Sequence, residues 1–143
     1  MKLEVLRLDR ELPLPSYATE GDAGLDLLAS EGADLAPGAR AAIPTGIAVA
    51  IPPGFAGFLQ ARSGRALEQG LALVNAPGLI DSGYRGEIRV IAVNLDPART
   101  ISIRRGDKIA QLIVQAVETV DLLEVDALPP SERGWGGFGS SGA

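Results

Sequence analysis

Residues 75–87 read Asn-Ala-Pro-Gly-Leu-Ile-Asp-Ser-Gly-Tyr-Arg-Gly-Glu and lie between two apolar runs, residues 71–74 and 88–93. The two runs predict β-strands, and the glycines between them are typical of a hairpin whose backbone can approach a ligand closely. Strands on both sides would hold the polar side chains rigidly; these are Asn75, Asp81, Tyr84 and Arg85. Asp, Ser and Gly are also ordinary turn residues. This segment alone therefore leaves two interpretations open, a functional site and an ordinary turn that carries polar side chains.

The composition around this segment predicts one all-β domain. A chain of 143 residues with 46% hydrophobic content can bury one core and is too short for two domains of ordinary size. Eighteen glycines and ten prolines break it into short segments, which disfavours long helices. Further strands are expected at residues 3–8, 55–61, 100–103 and 109–117, and two more within residues 35–51, where Pro44 is expected at a turn or an edge.

The absence of two residue types restricts the chemistry. The chain has no histidine and no cysteine, so it has no imidazole base, no Ser-His-Asp triad and no thiolate nucleophile or metal ligand. An acid-base catalyst must then be Asp, Glu, Lys or Tyr, and a bound metal should be a hard cation such as Mg²⁺ held by oxygen.

Charge and hydropathy predict which partners the protein lacks. A net charge of −5 argues against a general nucleic-acid binder, because such proteins usually present a basic surface to the phosphates. No apolar run approaches the length of a membrane span, and the N-terminus lacks the apolar centre of a signal peptide. We therefore expect a cytoplasmic protein that binds neither nucleic acid nor membrane.

Three further segments carry candidate site residues. Asp22 and Asp26 flank Gly24 before an apolar run, and they suit either a turn and a strand or a carboxylate that holds metal-bound water. Residues 62–64, Arg-Ser-Gly, follow a predicted strand, where they suit either a solvated turn or a phosphate cradle. Gln111 interrupts a strongly β-forming run, and an isolated Gln of this kind is usually a paired strand residue.

The C-terminal segment has an unusual composition. Residues 133–143 combine five glycines with an arginine, two aromatic residues and two serines, after a Pro-Pro pair at residues 129–130. Composition alone indicates a flexible tail. The same residues could order over an anionic aromatic ligand. We expect a domain at residues 1–128 and an arm at residues 129–143 that closes the active site.

Taken in order, five of these segments resemble the five motifs of the trimeric dUTPase family, most closely in its bacterial form. The segments are Asp22-Ala-Gly-Leu-Asp26, Arg62-Ser63-Gly64, residues 75–86, Arg105-Gly-Asp-Lys-Ile-Ala-Gln111 and Arg133-Gly-Trp-Gly-Gly-Phe-Gly-Ser-Ser-Gly. The resemblance implies a distorted jelly-roll β-sandwich that forms a homotrimer, with the C-terminal arm exchanged or draped over a neighbour. It also implies hydrolysis of Mg²⁺-bound dUTP to dUMP and pyrophosphate, which limits uracil in DNA and supplies dUMP for thymidylate synthesis.

The resemblance implies a role for each hairpin residue. Asp81 matches the general base that activates the water attacking the α-phosphorus. Tyr84 matches the aromatic residue that packs on the deoxyribose and leaves no space for a 2′-hydroxyl. Asn75 and the backbone around Leu79 and Ile80 match the groups that face uracil.

The remaining matched residues are implied to bind the phosphates, to hold the metal through water, or to close the active site. Asp26 matches a carboxylate that acts through metal-bound water, without direct ligation. The substrate-binding residues implied outside the hairpin turn are Arg62, Ser63, Gly64, Arg89, Gln111, Arg133, Phe138, Ser140 and Ser141. Among the last four, the Phe138 ring is expected to stack on uracil and the others to hold the terminal phosphates.

Three residues depart from the usual pattern of the family. Ala61 stands where relatives usually have proline, Arg65 where an apolar residue is more usual, and Trp135 at a variable position of the arm. None removes a reacting group, so activity is expected. The alternatives are a dCTP deaminase, which shares the fold, and a non-catalytic β-trimer that binds nucleotides or a regulatory protein. The intact Asp81 hairpin and the full glycine-rich arm favour hydrolysis.

Overall fold

The computed structural model describes residues 1–137. Within this range the chain forms ten strands and one short helix. In chain order they are β1 (Glu4–Arg7), β2 (Leu25–Leu28), β3 (Ala33–Leu35), β4 (Arg40–Ala50), β5 (Phe55–Gln60), α1 (Ser63–Gln69), β6 (Leu71–Leu73), β7 (Gly78–Ile80), β8 (Glu87–Asn94), β9 (Ile101–Ile103) and β10 (Lys108–Ala116).

Two four-stranded sheets make up most of the fold. Their strand orders are β1-β4-β8-β6 and β2-β10-β5-β7, and β3 pairs with β9 in a smaller third sheet. Every strand pair is antiparallel. The expected all-β class is therefore confirmed.

One hydrophobic core is built from the buried side chains of these strands. In β8, Ile88, Val90 and Ala92 are buried, while Arg89 and Ile91 point away from the core. Strand side chains alternate between the two faces of a sheet, so a single strand can both fill the core and present side chains on its outer face. Each fully buried Ile or Val contributes roughly 1.5–3 kcal/mol to the stability of the fold.

The segment between the two apolar runs is more than a hairpin turn. Its flanking strands, β6 and β8, do pair with each other, with Leu71 opposite Asn94 and Leu73 opposite Ala92. The segment between them, however, contains β7, which pairs with β5 in the other sheet. The residues of this segment are thus held by both sheets.

The turn expected at Pro44 was wrong, because Pro44 lies inside the continuous strand β4. Pro44 pairs with Arg89 of β8, whereas β1 pairs only with residues 47–50 of β4, so Pro44 has a strand partner on one side. The register of β4 against β8 shifts after Pro44, so that the next paired residue, Ala48, lies opposite Glu87. Proline is tolerated in a sheet at such a bulge. Gly46 lies in the bulge with a φ of 70°, a conformation that favours glycine.

The last strand ends at Ala116, before the domain boundary expected from sequence. Residues 117–136 are exposed in the described chain and form no strand or helix. The division into residues 1–128 and 129–143 stays a prediction. Across residues 1–137, no helix has the length and apolarity needed to cross a membrane.

Candidate active site

A cavity of about 360 Å³ opens beside β7 and is lined by residues of both four-stranded sheets. It is lined by Ala42, Leu59, Asn75, Gly78, Leu79, Ile80, Asp81, Tyr84, Ile88, Arg89 and Ile91. All six residues expected from sequence to act from this region line the same cavity. The apolar wall formed by Ala42, Leu59, Ile88 and Ile91 was not anticipated.

The position of β7 explains why its backbone is available to a ligand. Ile80 is buried in the core and Leu79 is exposed, so the strand is anchored on one face and open on the other. Among the described strands, β7 is the last in its sheet, and its only strand partner is β5. The outer edge of such a strand carries backbone N–H and C=O groups that no neighbouring strand uses.

The turn after β7 fixes Asp81 and Tyr84 relative to each other. The Tyr84 backbone N–H donates to the Asp81 carbonyl over 3.1 Å, and the Tyr84 hydroxyl donates to the Glu87 carbonyl over 2.9 Å. The Arg85 guanidinium donates to the carbonyls of Ser82 and Tyr84. The Arg85 side chain therefore stabilises the turn through these hydrogen bonds to its backbone.

Gly86 leaves room for the ring of Tyr84. A Cβ atom at position 86 would lie 2.4 Å from the Tyr84 hydroxyl oxygen and 2.7 Å from Cζ. We expect Gly86→Ala to displace the ring and to lower the free energy of unfolding, measured in urea, by roughly 1–3 kcal/mol, the usual cost of overpacking. In a Tyr84→Ala background the same change should add little. A full additive loss there would show that Gly86 acts independently of Tyr84.

Glu87 ties this turn to the neighbouring strands. Its Oε1 accepts a hydrogen bond of 2.9 Å from the Gly46 N–H, and its Oε2 lies 3.3 Å from the Arg89 guanidinium. Its carbonyl holds the Tyr84 hydroxyl. Sequence reasoning missed this residue, because the contact to Gly46 depends on the bulge in β4.

A second polar cluster surrounds Asp26 on β2. The Asp26 side chain is 3% exposed, yet Arg62 Nε lies 3.3 Å from Oδ1 and Lys108 Nζ lies 2.7 Å from Oδ2. Neither Asp26 oxygen accepts a well-aligned hydrogen bond from the described part of the chain. A buried carboxylate is costly unless cations compensate its charge. Lys108 had not been singled out from sequence.

Gln111 lies next to this cluster through strand register. It stands opposite Asp26 on one side and opposite Gln60 on the other. The three polar residues thus form a row across β2, β10 and β5. Asp22 has a local role instead, since its Oδ2 accepts a hydrogen bond of 2.9 Å from the Thr19 N–H, as the turn interpretation predicts.

The Arg-Ser-Gly segment begins a helix where a turn was expected. Arg62 directly precedes α1, and Ser63 and Gly64 form its exposed first turn. A Cβ atom at position 64 would meet no atom within 4 Å. Packing does not require glycine there, and the space beside the backbone is open to a ligand.

The described residues fit a magnesium ion held mainly by its substrate. No three His, Cys, Asp or Glu side chains cluster to hold a metal within residues 1–137. Mg²⁺ usually keeps several waters and binds through one or two carboxylates together with substrate phosphates. Asp26 supplies one buried carboxylate with lone pairs not used by aligned hydrogen bonds.

Arg105 holds the turn before β10 in place, and Lys108 is the first residue of β10. Its guanidinium pairs with both Asp9 and Glu11 and donates to the Ser30 carbonyl. The hydrogen bond from Arg105 lowers the pKa of Asp9 from 3.8 to about 2. Because the folded-state pKa is depressed, this pair stabilises the fold above pH 3.8, and its contribution disappears as the pH falls to about 2.

The two clusters remain separate within one chain. Among residues 1–137, no hydrogen bond or ion pair joins Asp81 or Tyr84 to Asp26 or Arg62. In the arm, Arg133 Nε donates to the Gly136 carbonyl over 2.9 Å, which closes a local turn. Phe138, Ser140 and Ser141 lie outside the described residues.

Known proteins match this sequence along nearly its whole length. A family profile described as dUTPase matches residues 10–142. The deoxyuridine 5′-triphosphate nucleotidohydrolase of Mycolicibacterium vanbaalenii is 58% identical over 98% of this chain and 94% of that protein. The enzyme of the same name from Thermobifida fusca is 55% identical over 99% of this chain and 79% of that protein.

Solved structures agree with the sequence relatives and support the jelly-roll fold. A mutant dUTPase of Staphylococcus bacteriophage 80alpha with dUpNHpp aligns with a TM-score of 0.90 at 30% identity, over 99% of both chains. The dUTPase of phage phi11 of S. aureus, as a mutant described as coordinating a structural Mg(II) ion, aligns with a TM-score of 0.84 at 28% identity. That alignment covers 91% of this chain and 100% of the phage chain. The chain therefore belongs to the dUTPase family.

Proposed function

We propose that this chain hydrolyses dUTP to dUMP and pyrophosphate, with Asp81 as the general base. The observation that carries this proposal is the cavity beside β7, where Asn75, Asp81 and Tyr84 converge. A carboxylate at the cavity wall can accept a proton from the attacking water, in a chain that has no histidine to do so. The water attacks the α-phosphorus, and the bond to the bridging oxygen of pyrophosphate breaks.

Base and sugar are selected by residues 75–87, called the β7 hairpin because they contain β7. Uracil pairs with Asn75 and with the backbone of Leu79 and Ile80, whose strand edge is free among the described strands. Fixed donors and acceptors reject cytosine by placing donor against donor, and a narrow cavity rejects the methyl group of thymine. The Tyr84 ring, held by its hydroxyl at the Glu87 carbonyl, packs against the deoxyribose and excludes a 2′-hydroxyl.

The phosphates are bound by the cluster around Asp26. Arg62 supplies a guanidinium, Ser63 a hydroxyl and Gly64 an open backbone approach, while Gln111 contacts the phosphate region. Arg89 adds positive charge at the cavity wall, where Glu87 orients it. Phosphoryl transfer depends mainly on such positioning and on neutralisation of charge.

Magnesium is proposed as the cofactor, held by the substrate phosphates and, through its waters, by Asp26. Bound in this way, the ion neutralises phosphate charge and orients the triphosphate chain. Asp26 fits this role because it is buried, charged and without an aligned hydrogen bond among residues 1–137.

The active unit is proposed to be a homotrimer in which neighbouring chains complete each site. Two observations support this arrangement. The base-side and phosphate-side clusters are not joined by a polar contact within residues 1–137, and the C-terminal segment exposes apolar side chains that an assembly would cover. These side chains are Val120, Leu122, Leu123, Val125 and Leu128. We expect light scattering after gel filtration to give three times the chain mass of 14.8 kDa.

The C-terminal arm, residues 129–143, is proposed to close the loaded site. Phe138 stacks on uracil, and Arg133, Ser140 and Ser141 hold the terminal phosphates. Nucleotide pools are the source of this substrate, so the enzyme is proposed to act in the cytoplasm.

Release of pyrophosphate from dUTP in the presence of Mg²⁺ tests the proposed function. We expect rapid release from dUTP and little from dCTP, dTTP or UTP at the same concentration. Ammonia release from dCTP would instead identify a deaminase. Tight dUTP binding without turnover would identify a non-catalytic nucleotide binder.

A further inference from the structure

Arg65 has an environment that its position on α1 does not explain. Arg65 is the only residue of α1 that is not exposed, and its side chain is 16% exposed. Leu67, two residues later on the same helix, is 88% exposed. A surface helix normally turns its apolar side chains inward and its charges outward. In α1 this order is reversed, so the inward position of Arg65 requires a polar partner.

The partners of Arg65 lie in its own helix and in the turn before β10. Its Nε donates a hydrogen bond of 2.9 Å to Gln69 Oε1, which fixes the guanidinium on the helix surface. Its Nη1 then reaches Asp107 Oδ2 and the Lys108 carbonyl, each over 3.4 Å. Asp107 Oδ2 also accepts a hydrogen bond from the Arg104 N–H, so the acceptor is held in place by its own turn.

These contacts join the two segments that supply cations to Asp26. Arg62 immediately precedes α1 and lies 3.3 Å from Asp26 Oδ1. Lys108 immediately follows Asp107 and lies 2.7 Å from Asp26 Oδ2. The Ala29 N–H donates to the Asp107 carbonyl, so the turn is also fastened to the end of β2.

We propose that Arg65 is a positioning residue that holds α1 against the turn before β10, so that Arg62 and Lys108 both stay directed at Asp26. It acts on the phosphate side of the site and does not touch the substrate. This inference rests on the proposed function, in which the Asp26 cluster binds the triphosphate. It also accounts for a charged residue at a position where an apolar residue is expected.

The inference predicts a loss that depends on the phosphates of the ligand. Without Arg65, α1 loses the side-chain contacts to Asp107 and Lys108 described above, and we expect the Arg62 guanidinium to shift relative to Asp26. The β7 hairpin, which reads base and sugar, lies at the opposite edge of the sheet from Asp26. Binding of dUMP, which has no β- or γ-phosphate, should therefore be spared.

The test compares Arg65→Leu, Arg65→Lys and a control, Arg40→Leu, at an exposed position on β4. For Arg65→Leu we expect kcat/KM for dUTP to fall about tenfold, because small misplacement of binding groups is costly. The dissociation constant of dUMP, from calorimetry, should change less than about twofold, within the usual scatter for distant sites. Arg65→Lys should retain an intermediate kcat/KM, and Arg40→Leu should match wild type.

A second variant checks the partner of Arg65. Asp107→Asn keeps an oxygen for the Arg104 N–H but removes the charge that faces Arg65. The double variant Arg65→Leu/Asp107→Asn should be no more than about twofold worse than Arg65→Leu, because coupled residues are not additive.

Three outcomes would count against the inference. The first is a kcat/KM of Arg65→Leu equal to that of Arg40→Leu. The second is a loss of dUMP binding equal to the loss of dUTP turnover, and the third is full additivity of the Asp107→Asn and Arg65→Leu effects. Each would overturn the positioning role while wild-type turnover of dUTP stood. Absence of pyrophosphate release by the wild type would instead overturn the proposed function, and this inference with it.

Discussion

Asp81→Asn should lower kcat for dUTP by about 10²- to 10⁴-fold, the usual contribution of a general base. Asn has nearly the shape of Asp but cannot accept the proton of the attacking water. The carbonyl of residue 81 still accepts the Tyr84 N–H, so the turn and the sugar-binding ring should stay in place. Affinity for dUTP should therefore remain within a few-fold of the wild-type value, since only an interaction of the transition state is lost.

Steady-state pyrophosphate release and calorimetric dUTP binding separate these effects. Asp22→Asn is the matched control, because Asp22 serves the turn at Thr19 and does not line the cavity. It should leave kcat unchanged. An Asp81→Asn variant as fast as wild type would rule out Asp81 as the base.

Asp26→Asn should reduce kcat/KM by about 10- to 100-fold, the range typical of groups that orient a metal site. Its effect on folding should be small or favourable. The side chains of Arg62 and Lys108 are 31% and 45% exposed, so both cations can return to water once the buried carboxylate is neutral. Removing one partner of a buried ion pair is costly when the other charge stays buried without compensation, and neither cation is buried here.

Urea unfolding of Asp26→Asn beside Lys108→Met distinguishes function from structure. Lys108→Met leaves the buried carboxylate with one cation, and we expect it to lose about 1 kcal/mol of unfolding free energy, a value reduced for the exposure of Lys108. Asp26→Asn should lose less than this while losing more activity. A large loss of stability in Asp26→Asn would make Asp26 a structural residue and remove it from the metal site.

That the polar residues of segment 75–87 lie on one surface could be predicted from sequence because they are close in the chain, whereas their roles stay predictions that rest on the family resemblance. Asn75, Asp81 and Tyr84 lie within a few residues of one another, and short strands on both sides predict that they share a surface. The structure adds that β7 crosses to the second sheet, a detail that residues 78–80 alone do not reveal. Three residues are too few to show a period from which pairing could be inferred.

The Asp26 cluster could be predicted only in part, because its contacts are distant in the chain. Asp26 and Arg62 were candidates by residue type, but Lys108 faces Asp26 only through the register of β2 and β10. Register depends on the whole buried face of a strand. Glu87 was missed for a related reason, since its partner Gly46 lies in a bulge of another strand.

The helix α1 was missed although the sequence contained signals for it. Residues 65–69, Arg-Ala-Leu-Glu-Gln, are good helix formers and are followed by Gly70, which ends the helix in a left-handed conformation. Ser63 and Gly64 favoured a turn because both are weak helix formers. The propensity of the following residues outweighed them.

Hydrolysis of dUTP in water enriched in ¹⁸O tests the central claim most directly. If the water activated by Asp81 attacks the α-phosphorus, the label should enter the phosphate of dUMP and the released pyrophosphate should remain unlabelled. Mass spectrometry of both products from a single turnover reads the position of attack. Label in the pyrophosphate would mean attack at the β-phosphorus and would contradict the mechanism, and formation of neither product would contradict the assigned reaction.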